Sequence, residues 1–333
     1  MTLSDQVLSF LQQNGRESIS GEEIAKQLGV TRNTVWKAVN KLKEEGYEIS
    51  AGTNRGYVLN SSGDALTSAS ILQHIPKEYC DLDIIVEDRV TSTNTVLKKL
   101  AEQGSKEGTV LISQEQTAGK GRMGRSFYSP FGCGLYMSIL LRPGFSAENS
   151  LLITTAAAVA VAKGITEVTG AKTRIKWVND VYIGWKKVCG ILTEASVDFE
   201  NGGLSYAVLG IGINVREAEG GFMELADVAT AIYQQHPPKG ARARLAATVL
   251  THFMSYYRVL EKKPFMREYQ NLSLLTGVDI VYSIGAKQER GTVLGIDDDA
   301  RLIVRLETGE IKYYLAGEVS IQKGFAGGIN HEN

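Results

Sequence analysis

Ten consecutive residues, Gln116-Thr117-Ala118-Gly119-Lys120-Gly121-Arg122-Met123-Gly124-Arg125, interleave glycines with cations and contain no acid. Such a loop suits closure around an anion. Glycine lets backbone N–H groups approach a ligand closely, and Lys120, Arg122 and Arg125 add fixed positive charge. Phosphate is the anion the pattern favours. The stretch also spells G-x-G-x-x-G after the apolar Val110-Leu111-Ile112. However, Pro130 and Gly132 follow where a dinucleotide fold needs a helix, and no acid stands at Leu140 or Leu141 to bind a ribose. A P-loop is excluded because Gly121, not Ser or Thr, follows Lys120. A basic surface loop without a ligand is the alternative that this stretch alone leaves open.

Four more groups carry chemistry. Val90-Thr91-Ser92-Thr93-Asn94 opens a helix through Val96, Leu97 and Leu100, gathering hydroxyl and amide groups at its positive end, either to bind a small polar ligand or simply to cap the helix. Arg174-Ile175-Lys176-Trp177-Val178-Asn179-Asp180 is expected to form a strand that sets Lys176 beside a carboxylate and an amide. That lysine could hold a carboxylate nucleophile and stabilise charge on an α-phosphate, or only pair with Asp180. Lys187-Val188-Cys189-Gly190-Ile191-Leu192 adds a cation and a glycine. Val208-Leu209-Gly210-Ile211-Gly212-Ile213-Asn214 is an apolar strand whose two glycines suggest a ligand lying against that face.

The elements that must position these groups fall into three segments. In residues 4–45, Val7, Leu8 and Leu11 repeat at helical spacing; Ser20 with Glu23 forms a capping box, Gly29 closes that second helix, and Thr31 opens a third. On the third helix Val35, Val39 and Leu42 make an apolar stripe, leaving Arg32, Asn33, Thr34, Lys37, Asn40 and Lys41 for other faces. This is a helix-turn-helix pattern able to read base edges and meet phosphates. Residues 47–59 alternate like a hairpin with Arg55 at a glycine-rich tip, predicting a winged helix-turn-helix over residues 1–62, with a linker at Asn60-Ser61-Ser62-Gly63. Residues 1–60 hold seven acids and seven bases, but the bases concentrate on the third helix and the tip. Residues 67–274 mix strands with long helices, for example over 150–168 and 241–262, as an α+β core. Residues 275–324 alternate in short bursts expected to form a small antiparallel β-barrel.

Bulk properties exclude some classes of function. A net charge of −1 over 333 residues gives no global field for nucleic acid or membrane, so any such binding must be local. Cys80, Cys133 and Cys189 have no C-x-x-C spacing and the four histidines do not cluster, so neither a zinc site nor a disulfide framework is expected and a reducing cytoplasm fits. No signal pattern opens the chain, and residues 151–162 are expected to be a core helix rather than a membrane span.

The order Ser92-Thr93-Asn94, Gln116 to Gly124, Lys176-Trp177-Val178-Asn179-Asp180, Gly190-Ile191-Leu192, Gly210-Ile211-Gly212-Ile213-Asn214 and Gly317-Glu318-Val319-Ser320 resembles the bifunctional biotin protein ligases that are also biotin operon repressors. The resemblance covers nearly the whole chain. Lys120 stands where that family usually has Arg, and Val178 where it usually has Pro. The resemblance implies a central ligase domain with a mixed sheet of class II synthetase type and a C-terminal SH3-like barrel. Biotin would be held by Ser92, Thr93, Asn94, Gln116 and Gly190, with Lys120, Gly121 and Arg122 folding over it and Lys176 and Arg122 in catalytic roles. ATP would meet Arg122, Arg125, Phe127, Asn179, Lys187, Asn214 and Glu318.

The implied reaction uses biotin and MgATP to form biotinyl-5′-AMP, then transfers biotin to a lysine of a biotin carboxyl carrier domain. Two anionic reactants meet in the first step, which accounts for a cation-rich site. The adenylate would also act as corepressor, promoting a homodimer that presents paired helix-turn-helix domains to operator DNA. A lipoate-type protein ligase and a small-molecule-sensing regulator without ligase activity are the alternatives.

Overall fold

A computed structural model describes residues 3–13, 18–44, 47–52, 56–61, 66–144, 150–197, 204–284 and 287–321. The chain divides into two compact units. One carries the residues up to His74 together with Pro238–Arg244; the other carries Ile75–Pro237 and the residues from Leu245 on.

In the first unit three helices, α1 (Leu3–Gln13), α2 (Gly21–Leu28) and α3 (Arg32–Glu44), precede an antiparallel hairpin of β1 (Glu48–Gly52) and β2 (Gly56–Ser61). Their apolar stripes meet in one core: Val7, Leu8 and Leu11 of α1, Ile24 of α2, and Val35, Val39 and Leu42 of α3 are buried together. Ser20 accepts from the Glu23 N–H, Gly29 ends α2 at φ 67°, and the Thr31 hydroxyl accepts from the Thr34 N–H, so each helix boundary is set by the residue the sequence predicts. Ile19 exchanges two backbone hydrogen bonds with Tyr57 and so adds a short rung to the hairpin. Arg55 and part of the expected linker lie outside the described residues. A short helix, α4 (Ser68–Leu72), follows, opened by a Thr67–Ser70 capping box.

The second unit is built on a seven-stranded sheet: β3 (Asp83–Val90), β4 (Thr109–Gln116), β5 (Gly134–Leu141), β6 (Thr173–Lys176), β7 (Asp180–Ile183), β8 (Lys186–Val197) and β9 (Leu204–Asn214), in the order β3-β4-β5-β9-β8-β7-β6. Only β3 and β4 run parallel, joined through α5 (Thr93–Glu102); every other neighbouring pair is antiparallel. Leu97 and Ala101 of α5 are buried against Leu111, Leu140 and Val208 of the sheet, which fixes the N-terminus of α5 at the ends of the central strands. The apolar stretch over 151–162 lies in α6 (Ser150–Thr169), where it is buried as a core helix. Two further helices, α7 (Ala241–Tyr257) and α8 (Met266–Asn271), complete the helical part.

Two expected elements differ. The strand expected over 174–180 is broken: β6 ends at Lys176, Trp177–Asn179 form a turn containing a cis Trp177–Val178 peptide, and Asp180 begins β7 on the return. Buried Trp177 holds this turn by donating from Nε1 to Ala300 O at 2.9 Å, a long-range contact outside any local pattern. The helix expected over 241–262 stops at Tyr257, and a separate 3₁₀ turn covers Leu260–Lys262. At the C-terminus, β10 (Asp279–Ile284), β11 (Lys287–Ile296), β12 (Leu302–Leu306), β13 (Ile311–Tyr314) and β14 (Glu318–Ile321) form an antiparallel sheet in the order β13-β12-β11-β10-β14. Residues 322–324 lie outside the description.

Candidate functional site

The polar groups at the start of α5 are drawn into one relay. Gln116, the last residue of β4, accepts at Oε1 from the Thr93 backbone N–H (2.9 Å) and hydroxyl (3.1 Å), while its Nε2 donates to Ser129 Oγ at 2.9 Å. Ser138 Oγ bridges Thr93 Oγ1 at 2.7 Å and Asn94 Oδ1 at 2.6 Å. Asn94 Nδ2 reaches Glu194 Oε2 at 2.8 Å, and Lys98 pairs with the other oxygen of that carboxylate at 2.6 Å. Burial raises the cost of a charge on Glu194, yet hydrogen bonds from Lys98 and Asn94 hold its carboxyl below the usual range. Ser92 is buried and extended and makes no side-chain cap on α5, so capping does not account for it.

The basic loop folds back as a small flap. Its base is tied to the end of β3 by Thr117 N–H to Val90 O (3.0 Å) and Ala118 N–H to Thr91 O (2.8 Å). Its arms are joined by Gly121 N–H to Arg125 O at 2.7 Å and Phe127 N–H to Gly119 O at 2.9 Å. Met123 and Gly124, both at positive φ, turn its tip. A side chain at Gly119 would collide with the backbone of Phe127, so this glycine is required by close approach of chain to chain.

A cavity of about 50 Å³ lies beneath the flap. Eleven of the predicted residues line it: Ser92, Thr93, Asn94 and Gln116 on one side; Lys120, Gly121, Arg122 and Phe127 from the flap; Asn179, Lys187 and Gly190 opposite. Gly210 and Gly212, on the strand face that the sequence suggested for a ligand, also line it, together with Ile191, Leu192 and Ile211, which were not among the candidate residues. The strand-core alternation that marks Ile191 and Ile211 as buried gives no cue that they also wall a cavity. Arg122 Nη1 donates to Asn179 Oδ1 at 3.0 Å, and Asn179 Nδ2 to Ile191 O at 2.8 Å. Arg122, Asn179, Ile191 and Leu192 also border an adjoining cavity of about 350 Å³.

Four predicted residues stand off the lining. Asn214 donates to Thr230 O at 3.1 Å, and Arg125 pairs with Glu318 at 2.7 Å, linking the flap to β14. Lys176 lies off the cavity lining, which Lys187 joins. Among the described residues Lys176 makes no ion pair with Asp180, the alternative the sequence left open for it. A register shift in the β7–β8 pairing brings Lys187 onto Asp180, with Nζ 2.7 Å from Oδ1. Lys176 sits among the same charges: burial pulls its ammonium below the ordinary value, Lys187 and Arg125 pull it further, and Asp180 and Glu318 oppose them. The acid-free run of the sequence is therefore partly neutralised in three dimensions by Glu318, which pairs with Arg125, and by Glu194, which feels the charge of Lys120. Gly210 and Gly212 on β9 also lie close to side chains of the protein. A methyl at Gly210 would run into the Asn94 amide and one at Gly212 would lie 2.6 Å from the Phe127 ring, so these glycines seat the protein's own side chains.

On α3, Arg32, Asn33, Lys37 and Lys41 are exposed, while Thr34 and Asn40 are half-buried, Thr34 with its hydroxyl on that of Thr31 at 2.7 Å. Among the described residues no group of three or more His, Cys, Asp or Glu converges as a metal site.

Three parts of the chain match known families. Residues 86–214 match the biotin/lipoate A/B protein ligase family, residues 4–58 a helix-turn-helix domain, and residues 283–321 the biotin protein ligase C-terminal domain. The bifunctional ligase/repressor BirA of Bacillus subtilis is 35% identical over 95% of this chain and 98% of its own, and that of Escherichia coli 27% identical over 91% and 92%. The biotin protein ligase from Aquifex aeolicus in complex with biotin and ATP superposes with a TM-score of 0.59 at 28% identity, covering 72% of this chain and 98% of that one.

Proposed function

From the premise that this chain belongs to the bifunctional biotin ligase/repressor family, we propose that it joins biotin to ATP beneath the flap, passes biotin to a carrier lysine, and represses transcription through α3. In the first step a biotin carboxylate oxygen attacks the α-phosphorus of ATP, forming biotinyl-5′-AMP and releasing pyrophosphate. In the second the lysine amine attacks the mixed anhydride carbonyl and AMP leaves. The acceptor is a biotin carboxyl carrier domain.

The observation that carries the reading is the convergence of a neutral polar relay (Ser92, Thr93, Asn94, Gln116) with three cations, Lys120, Arg122 and Lys187, around one cavity. The relay suits a neutral, hydrogen-bonding ring; the cations suit two anions that must touch. Lys176 is the proposed cation at the reacting carboxylate, and Lys187, whose charge it feels, is the proposed contact to the nucleotide. Arg125, Phe127, Asn179, Asn214 and Glu318 remain the proposed nucleotide contacts. Mg²⁺ would ride on the triphosphate oxygens, screening their charge as the carboxylate approaches. The cavity is smaller than the roughly 300–1,000 Å³ typical of ligand sites. Moving Phe127 off Gly212 and parting Arg122 from Asn179 would open it toward the adjoining cavity, and reclosure would shield the anhydride from water.

The working division is residues 1–62 as a winged helix-turn-helix with the β1–β2 hairpin as wing, 67–274 as ligase domain, and 275–324 as an SH3-like barrel. The adenylate, by ordering the flap, favours a homodimer that places two α3 helices on a palindromic operator in the cytoplasm. Pyrophosphate release from MgATP that depends on biotin and not on lipoate, followed by covalent label on a carrier domain, tests the ligase. Release with lipoate alone would overturn it. Equal DNA affinity with and without biotin and ATP in a gel shift would overturn the corepressor step.

A further inference from the structure

Helical geometry divides α3 into two faces. Val35, Ala38, Val39 and Leu42 point into the core, and Asn33 and Lys37 lie on the opposite arc, while exposed Arg32 flanks the core stripe. Trp36 borders that outward arc, one turn after Arg32 and one before Asn40, and is 52% exposed. By contrast, Trp177 is buried and fixed by a hydrogen bond. Among the described residues no ring stacks on Trp36 and no cation lies over it. An indole half in water on a helix that is otherwise polar outward is an unfavourable place for a large apolar group unless something covers it.

The charge around it selects the cover. From Arg32 to Lys43 the helix carries Arg32, Lys37, Lys41 and Lys43 and no acid. A second copy of this surface would be repelled, whereas a polyanion would be drawn to it. Within a major groove the one apolar feature of the base edges is the thymine 5-methyl group.

We infer that Trp36 is a specificity-determining residue that packs against a thymine methyl in each operator half-site, between the polar base contacts of Asn33 and Asn40. This rests on the DNA-binding reading above and adds to it a base identity set by an apolar contact. The indole cannot satisfy a hydrogen-bond pattern through its ring face, so the selectivity it gives is for the methyl itself.

The test selects duplexes from a random pool with the full chain in biotin and MgATP, then replaces each thymine of the enriched sequence by deoxyuridine, which removes only the methyl. One position per half-site should weaken wild-type binding about fourfold, the worth of one buried methyl. Trp36→Ala should bind about tenfold more weakly, ignore that substitution and no longer select thymine there. Wild-type indifference to deoxyuridine everywhere, or an unchanged preference in Trp36→Ala, overturns the inference while leaving DNA binding intact. If the wild type enriches no sequence, the DNA-binding reading falls and this inference with it. The deoxyuridine scan uses the wild type alone, so a folding defect in the variant does not spoil it.

Discussion

The ring of Phe127 and the α-carbon of Gly212 share one seat on the cavity wall: a methyl at Gly212 would lie 2.6 Å from the ring. Gly212→Ala should therefore lower the melting temperature through overpacking, at a cost of about 1–3 kcal/mol. In the background Phe127→Ala the same change should cost much less, because the ring is gone. Thermal melts of the two single variants and the double variant read this coupling. Strict additivity would mean that the ring does not rest on the glycine.

Lys187 and Lys176 are separated by their position relative to the cavity. Lys187→Ala should reduce biotin-dependent pyrophosphate release about 10²–10³-fold, the scale of losing one preorganised charge donor. Lys176→Ala should reduce it at least as much. Single-turnover rates compare them, and full retained activity in Lys176→Ala would remove it from the mechanism.

The lowered ammonium pKa of Lys176 has a pH consequence whose sign is fixed. Its folded value lies below the ordinary 10.5, so the charged form is the disfavoured one in the folded chain. Below the folded pKa the penalty is complete. As pH rises from there toward 10.5 the folded state releases its proton first, and the penalty fades. Lys176→Met should thus raise the melting temperature at pH 7, with the gain shrinking as pH approaches 10.5. A gain that is constant across that range would show that the stabilisation comes from packing instead.

Lys37 is exposed on α3, and the role proposed for its ammonium is electrostatic. Lys37→Ala should weaken binding to every duplex alike and reduce the slope of log affinity against log salt by about 0.9 for each phosphate the side chain had neutralised. An unchanged slope would show that Lys37 neutralises no phosphate.

Local chemistry was legible along the chain because it depends on neighbours. Ser20, Gly29 and Thr31 mark helix boundaries through side-chain and backbone preferences that operate over three or four residues, and the stripe of Val35, Val39 and Leu42 follows from helical period alone. The polar start of α5 and the flap were readable for the same reason: glycines, cations and hydroxyls declare their backbone and charge preferences wherever they stand.

What only the tertiary structure decided is which of these groups meet, and that depends on strand order and register rather than spacing. Bringing β8 beside both β7 and β9 puts Gly190 opposite Asp180 on one side and Gly212 on the other, and a register shift hands Asp180 to Lys187 instead of Lys176. The break of the expected strand at Trp177 is set by Ala300, 123 positions away, and the partner of Arg125 by Glu318, 193 positions away. A sequence pattern carries no distance between segments so remote. Periodicity gave the core stripe of α3 but did not single out Trp36, whose indole only the folded surface shows half exposed on a helix rich in cations.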